Sequence, residues 1–244
     1  MFVRIRFRCV EPKLRIFGSF GTPLVFWFLM GSGLKNSFRG DLNYLQYFFP
    51  GTILLILLFT AIFSTISIIE DRNQGFLQSV LVSPTPRSAL VFGKLMGGTL
   101  LAVMQGLLFI VMAPFLGLPL TLWDVVFLLV VMTLVSFALT GLGFLMAWKL
   151  DSSQGFHSIM NLFLMPLWIL SGALFPLSTT PSWLSWVMIF NPLTYAMSLL
   201  QKGFFGTFDS HYFVLNSSFI CFLVCLIFGV IMYILSVRMC SRSS

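Results

Sequence analysis

Residues 152–201 read SSQGFHSIMNLFLMPLWILSGALFPLSTTPSWLSWVMIFNPLTYAMSLLQ, 50 positions without an Asp, Glu, Lys or Arg. A helix crossing a hydrocarbon core of about 30 Å needs roughly 20 apolar residues, so the window has room for two. It is not uniform. Residues 157–176 make one span ending at Phe175-Pro176, and Leu177-Ser178-Thr179-Thr180-Pro181 is a turn-rich break. The piece that follows, Ser182 to Leu200, is apolar but interrupted by Asn191-Pro192. Proline disfavours helical geometry at Asn191 and removes one amide donor. Two short re-entrant helices over about 182–205, entering from one side, fit this interruption better than the alternative, a seventh, kinked span. Irregular backbone at that depth must be covered by protein or water.

Five more charge-free windows lie outside this one: 16–34, 42–69, 95–123, 125–148 and 210–237. Each holds one span, which makes six. Composition points the same way. Of the 244 residues 58% are hydrophobic and 9% charged, against roughly 25% charged in a soluble domain. Mean hydropathy is +1.00 and there are 29 Phe. A soluble fold of this size has too little interior for that apolar surface. The expected fold class is therefore an all-α membrane protein with six transmembrane helices. Disordered, fibrous and disulfide-scaffold classes are excluded. The organisation read from the windows is a basic interfacial segment over 1–15, one transmembrane domain over 16–237 and a tail over 238–244. Met1 to Arg15 lacks the apolar core and small-residue site of a signal peptide.

With six spans both termini share a side. Arg4, Arg6, Arg8, Lys13, Arg15, Arg72, Arg87, Lys94, Lys149, Arg238 and Arg242 fall there, 11 of the 14 basic residues. Lys35, Arg39 and Lys202 fall opposite. The positive-inside rule then predicts cytoplasmic termini in a multi-pass cytoplasmic (inner) membrane protein. The net charge of +7 does not predict a nucleic-acid partner, because the charges flank apolar runs instead of forming a patch.

Several chemistries lack their residues. No phosphate-cradling G-x-x-x-x-G-K-[ST] is present, and Phe92-Gly93-Lys94-Leu95 lacks its upstream glycine and hydroxyl residue. His157 and His211 are expected at opposite membrane faces, too far apart for a metal site. Ser171-Gly172 has no histidine expected at its depth, so it reads as a packing site and not as a hydrolase nucleophile. No catalytic residue, metal ligand or cofactor site is expected in this chain. Cys221 and Cys225, one helical turn apart, read as small buried hydrophobes, and Cys9 and Cys240 as reduced thiols at the cytoplasmic side. The span interiors lack ionisable groups, which argues against a self-powered carrier.

The stretch Ile69-Glu70-Asp71-Arg72-Asn73-Gln74-Gly75-Phe76-Leu77-Gln78-Ser79-Val80-Leu81-Val82-Ser83-Pro84-Thr85-Pro86-Arg87 is the most informative loop. Charges close the second span, and Gly75 permits a sharp turn. Phe76, Leu77, Val80 and Leu81 recur at helical spacing, and Pro84 and Pro86 end the run. An amphipathic helix over about 74–84 results, suited either to a groove on a soluble partner or to the lipid surface. Glycines are placed for close helix contact, within or between chains: Gly93, Gly97 and Gly98 on the third span, and Gly143 with Ala147 on the fourth.

The loop resembles the first cytoplasmic loop of type-2 ATP-binding-cassette exporter permeases, the group of drug-resistance and polysaccharide-export permeases. The matching residues are Glu70-Asp71-Arg72, Gly75-Phe76-Leu77, Leu81-Val82-Ser83-Pro84, Arg87 and Gly93-Lys94. A second similarity is Ser171-Gly172, Phe175-Pro176, Pro181 and Asn191-Pro192-Leu193-Thr194-Tyr195, which resembles that family's fifth span and outward re-entrant pair. A third is Gly21-Thr22-Pro23-Leu24 with Gly31-Ser32-Gly33-Leu34. The segment before the first span is shorter than the family's usual connecting helix.

The resemblance implies a transport subunit that is not itself an enzyme. It implies that Glu70, Arg72, Gly75, Phe76, Leu77, Val80, Leu81, Pro84 and Arg87 couple to a separate ATPase subunit, which supplies ATP and Mg. It also implies that Ser171, Gly172, Phe175, Pro176, Pro181, Asn191, Pro192 and Tyr195 form an outer gate, and that a second permease copy, in a homodimer or with a homologous partner, completes the path. A wall of Phe and Met without charge suits an amphipathic, drug-like or lipid-linked substrate. A polysaccharide or glycolipid is the alternative substrate, and a non-transporting assembly or anchoring subunit the alternative function.

Overall fold

A computed structural model describes residues 25–33, 44–75, 86–175, 180–206 and 217–242. The residues it describes fold as helices: α1 over 25–33, α2 Tyr44–Ser64, α3 Ile66–Asn73, α4 Arg87–Ile110, α5 Leu122–Lys149, α6 Ser153–Trp168, α7 Ser182–Phe190, α8 Pro192–Phe205 and α9 Ser218–Arg242. Five stretches are long and apolar enough to cross a membrane: Tyr44–Asn73, Arg87–Ile110, Leu122–Lys149, Ser153–Ala173 and Ser218–Ser241. The chain is an all-α, multi-pass membrane protein. Of the expected first span, 16–34, only the nine helical residues 25–33 are described, and the 1–15 segment lies outside the described residues.

α2 is the central helix. Of its most apolar stretch 72% is buried, against 22% for α9 at the edge. It packs on α4, α5, α6 and α8, and α9 packs mainly on α5 and α8. Close approach is set by glycines. A Cβ on Gly143 of α5 would lie 3.0 Å from Ile62 Cα of α2, and one on Gly98 of α4 would lie 2.7 Å from Thr140 Cγ2 of α5. Both glycines therefore serve contacts inside one chain. Cβ atoms on Gly93 and Gly97 would meet nothing within 4 Å, so that side of α4 is open.

Two boundaries differ from the charge gaps. The third span starts at Arg87 instead of 95, with Arg87 and Lys94 in its first turns, and ends at Ile110. Lys94 is tolerated there because Asp71 neutralises it. A 3-10 turn, Ala113–Leu116, then leads to α5. The gap at Asp124 is not a loop either. Asp124 is the third residue of α5 and completes a capping box with Thr121: its Oδ2 accepts from Thr121 N at 2.9 Å, and Asp124 N donates to Thr121 Oγ1 at 3.3 Å. α5 is about 42 Å long at 1.5 Å per residue, longer than a bilayer core, so Asp124 and Lys149 stand outside the hydrocarbon.

The candidate coupling end and the candidate outer gate

One end of the bundle collects the charges. α3 stops where the sequence places a turn: Gly75 takes φ +74°, and its N–H donates to Arg72 O at 3.0 Å. A left-handed residue at a helix C-terminus costs least when it is glycine. Just before that turn, Arg72 reaches across to the end of α5. Its Nη2 donates to Ala147 O at 2.8 Å and Leu150 O at 3.0 Å, and its Nη1 donates to Asp151 at 3.0 Å. A guanidinium at a helix C-terminus meets both the orphan carbonyls and the negative end of the helix dipole. Asp71 pairs with Lys94 of α4, whose Nζ also lies 3.5 Å from Ser67 Oγ. Glu70 is exposed. Arg87 opens α4 beside Cys240, which is buried, and Tyr233 of α9 donates to Ser88 O at 3.3 Å. The residues expected on one side, Arg72, Arg87, Lys94 and Lys149, thus share one end, and α9 brings Arg238 to it. Phe76, Leu77, Val80, Leu81 and Pro84 lie outside the described residues.

At the opposite end α6 does not run straight out. It passes into one π-helical turn, Ile169–Ala173, in which Gly172 has φ +85°. Such a break frees carbonyls, and lipid offers no donor for them. Neighbouring side chains take them up. Tyr47 of α2 donates to Gly172 O at 2.9 Å, and Tyr44 donates to Leu174 O at 3.2 Å. Asn191 Nδ2 donates to Leu167 O at 2.6 Å, and Thr194 Oγ1 lies 3.3 Å from Leu170 O. Trp168, fully buried, donates its indole N–H back to Gly51 O at 2.8 Å. A Cβ on Gly51 would come within 3.0 Å of Ala173, so α2 and the π turn touch backbone to backbone.

α7 and α8 meet at Asn191 with a bend of 90°, as the Asn191-Pro192 step predicts for a re-entrant pair. Asn191 Oδ1 caps α8 by accepting from Leu193 N at 3.0 Å, and Pro192 fills the first helical position, where no amide is needed. Of the expected gate residues, Ser171, Gly172 and Asn191 come together at the π turn, with Pro192 beside Asn191. Tyr195 is half-buried one turn along α8, Pro181 precedes α7, and Pro176 lies outside the described residues. Ser171 is fully buried and donates to Trp168 O at 2.6 Å, which is a packing role. His157 lies against Phe63, with ring centroids 4.7 Å apart and the rings tilted by 45°, far along α6 from Ser171. Cys221 and Cys225 are buried, as expected.

The sequence did not single out Tyr44, Tyr47 or Trp168, and it marked Thr194 only as part of the Asn191–Tyr195 motif. Their signal is positional. Hydrogen-bonding side chains at the end of apolar spans, level with a predicted backbone break, supply the donors that the break requires.

A many-span helical bundle, with one span broken and pinned at one end and its charged loops clasped at the other, defines a class of polytopic membrane proteins. The family model for the ABC-2 type transporter matches residues 5–205, and the chain belongs to that family. The "Putative transport permease ycf38" of Cyanophora paradoxa is 28% identical over 185 residues, 73% of this chain and 64% of the relative. The inner membrane transport permease YadH of Escherichia coli K12 is 26% identical over 191 residues, 76% of this chain and 74% of the relative. The "Probable multidrug ABC transporter permease YbhR" of the same strain is 24% identical over 176 residues, 69% and 46%. The chain thus spans less than two thirds of the length of some relatives that it matches. The permease names agree with the expectation of a non-enzymatic membrane subunit.

Proposed function

We propose that this chain is the membrane-spanning subunit of an ATP-binding-cassette exporter. The observation that carries the reading is the family match over 5–205, which includes both the 69–87 loop and the bent pair. In this reading the charged end faces the cytoplasm, in line with the 11 basic residues expected there, and the π turn and bent pair face outward. The 74–87 loop docks a separate ATPase subunit, which holds ATP and Mg. Two copies, or one copy with a homologous partner, enclose the path. The substrate is amphipathic, drug-like or lipid-linked, because the span interiors offer apolar surface and no fixed charge.

Phe76→Asp tests the reading. It puts a carboxylate on the apolar face of the loop helix while leaving the spans untouched, and a buried unpaired charge costs several kcal/mol. The expected result is loss of co-purifying ATPase with normal membrane insertion. Wild-type recovery of the ATPase together with wild-type export would overturn the reading and favour an anchoring subunit.

A further inference from the structure

Asp71 and Arg72 are adjacent in sequence, yet they bind different elements. Asp71 holds Lys94, in the third turn of α4. Arg72 holds Ala147, Leu150 and Asp151 at the α5–α6 elbow. We propose that the two are positioning residues that lock the start of the 74–87 loop to α4 and to the α5–α6 elbow, so that displacement of the loop is delivered to α6. This rests on the reading that the loop docks an ATPase.

Three observations support it. First, Arg72 makes three bonds to the elbow and its side chain is only 30% exposed, so it is committed to this chain, while Glu70 beside it is exposed and free to face a partner. Second, the elbow is short. α5 ends at Lys149, and Ser152 already caps α6 by accepting from Gly155 N at 3.3 Å, so the intervening Leu150 and Asp151 leave little slack. Third, α6 from Ser153 to Trp168 is one helix of about 24 Å, running up to the break at the π turn. Its far end is bonded to Asn191 and Thr194. A push at Arg72 therefore has a bonded route to the bent pair, carried by rigid elements.

The test uses the full chain co-purified with its ATPase in liposomes of Escherichia coli polar lipid. Ser182→Cys, at the exposed start of α7, is labelled with a maleimide with and without vanadate-trapped nucleotide. The readout is the change in labelling rate per recovered ATPase, so loss of partner is separated from loss of transmission. Arg72→Gln is expected to reduce that response about fivefold or more, the size of a modest coupling energy. Asp71→Lys is expected to reduce it likewise, and Asp71→Lys with Lys94→Asp to restore it. A wild-type response in Arg72→Gln, or no restoration in the reversed pair, would overturn the clasp while leaving docking intact. A parent chain that recovers no ATPase, or whose labelling ignores nucleotide, would defeat the docking reading and the clasp with it.

Discussion

Replacing Asn191 by Ala should release the outer break from two sides at once. Asn191 is only 6% exposed. Its Oδ1 caps α8 at Leu193 N, and its Nδ2 is bonded to Leu167 O beside the π turn. Loss of an N-cap costs about 1 kcal/mol. An orphaned buried carbonyl adds about 1–3 kcal/mol, reduced where the unfolded chain in a membrane finds other partners. The sum is about 2–3 kcal/mol. Asn191→Ser separates the terms, because serine keeps a capping oxygen but is too short to reach Leu167, so about 1–2 kcal/mol should be lost. Reversible unfolding in mixed dodecyl maltoside and SDS micelles, followed by tryptophan fluorescence, measures both, with buried Trp168 as a reporter near the break. Ala at 191 within about 0.5 kcal/mol of wild type, a typical surface-substitution effect, would refute the view that this side chain holds the broken span. Equal losses for Ala and Ser would refute a capping contribution.

Two further substitutions follow from the same geometry. Gly172→Ala forces an L-residue to φ +85° and should cost about 1–2 kcal/mol in the same unfolding assay, whereas Gly33→Ala, which has open space around its Cβ, should cost little. Gly98→Ala drives a Cβ to 2.2 Å from Ser64 Oγ and 2.7 Å from Thr140 Cγ2, so the isolated chain should lose about 1–3 kcal/mol, while Gly97→Ala should leave it unchanged. Monomer stability of both variants, measured in detergent, checks that the glycine pattern on α4 is divided between an inner and an open side.

The five span-length helices among the described residues were legible because lipid imposes a blunt rule: charges mark the ends of helices. The rule misplaces the ends themselves when a charge is answered by another element. Lys94 looks like the border of the third span and is instead in its third turn, since Asp71 lies 23 positions back in the chain and no local pattern pairs them. Asp124 looks like a loop and is a cap. The break at Asn191-Pro192 was legible because proline acts on its own neighbours. The π turn was not, because Ser171-Gly172 inside an apolar run is equally suited to packing, and only the conformation of Gly172 distinguishes the two.

The same asymmetry explains what the candidate site residues turn out to be. A motif read from a loop, such as Glu70-Asp71-Arg72, carries no information about which of its charges faces outward. Arg72 ends up capping a helix 75 residues away and Asp71 neutralises α4, which leaves Glu70 exposed. At the other end Asn191 is marked by its proline, but what it holds is a carbonyl 24 residues earlier. Both ends use the same device, a polar side chain closing on the backbone of another helix where that helix stops being regular. In a medium without water such closures are required wherever a helix breaks, as at the π turn, whereas the elbow beyond Lys149 stands outside the hydrocarbon and is held by the three bonds of Arg72. A span that must change shape can therefore do so only by exchanging these bonds for others. The α6 rod is closed in this way at both its elbow and its π turn, so it is the element whose two ends cannot move independently of their neighbours.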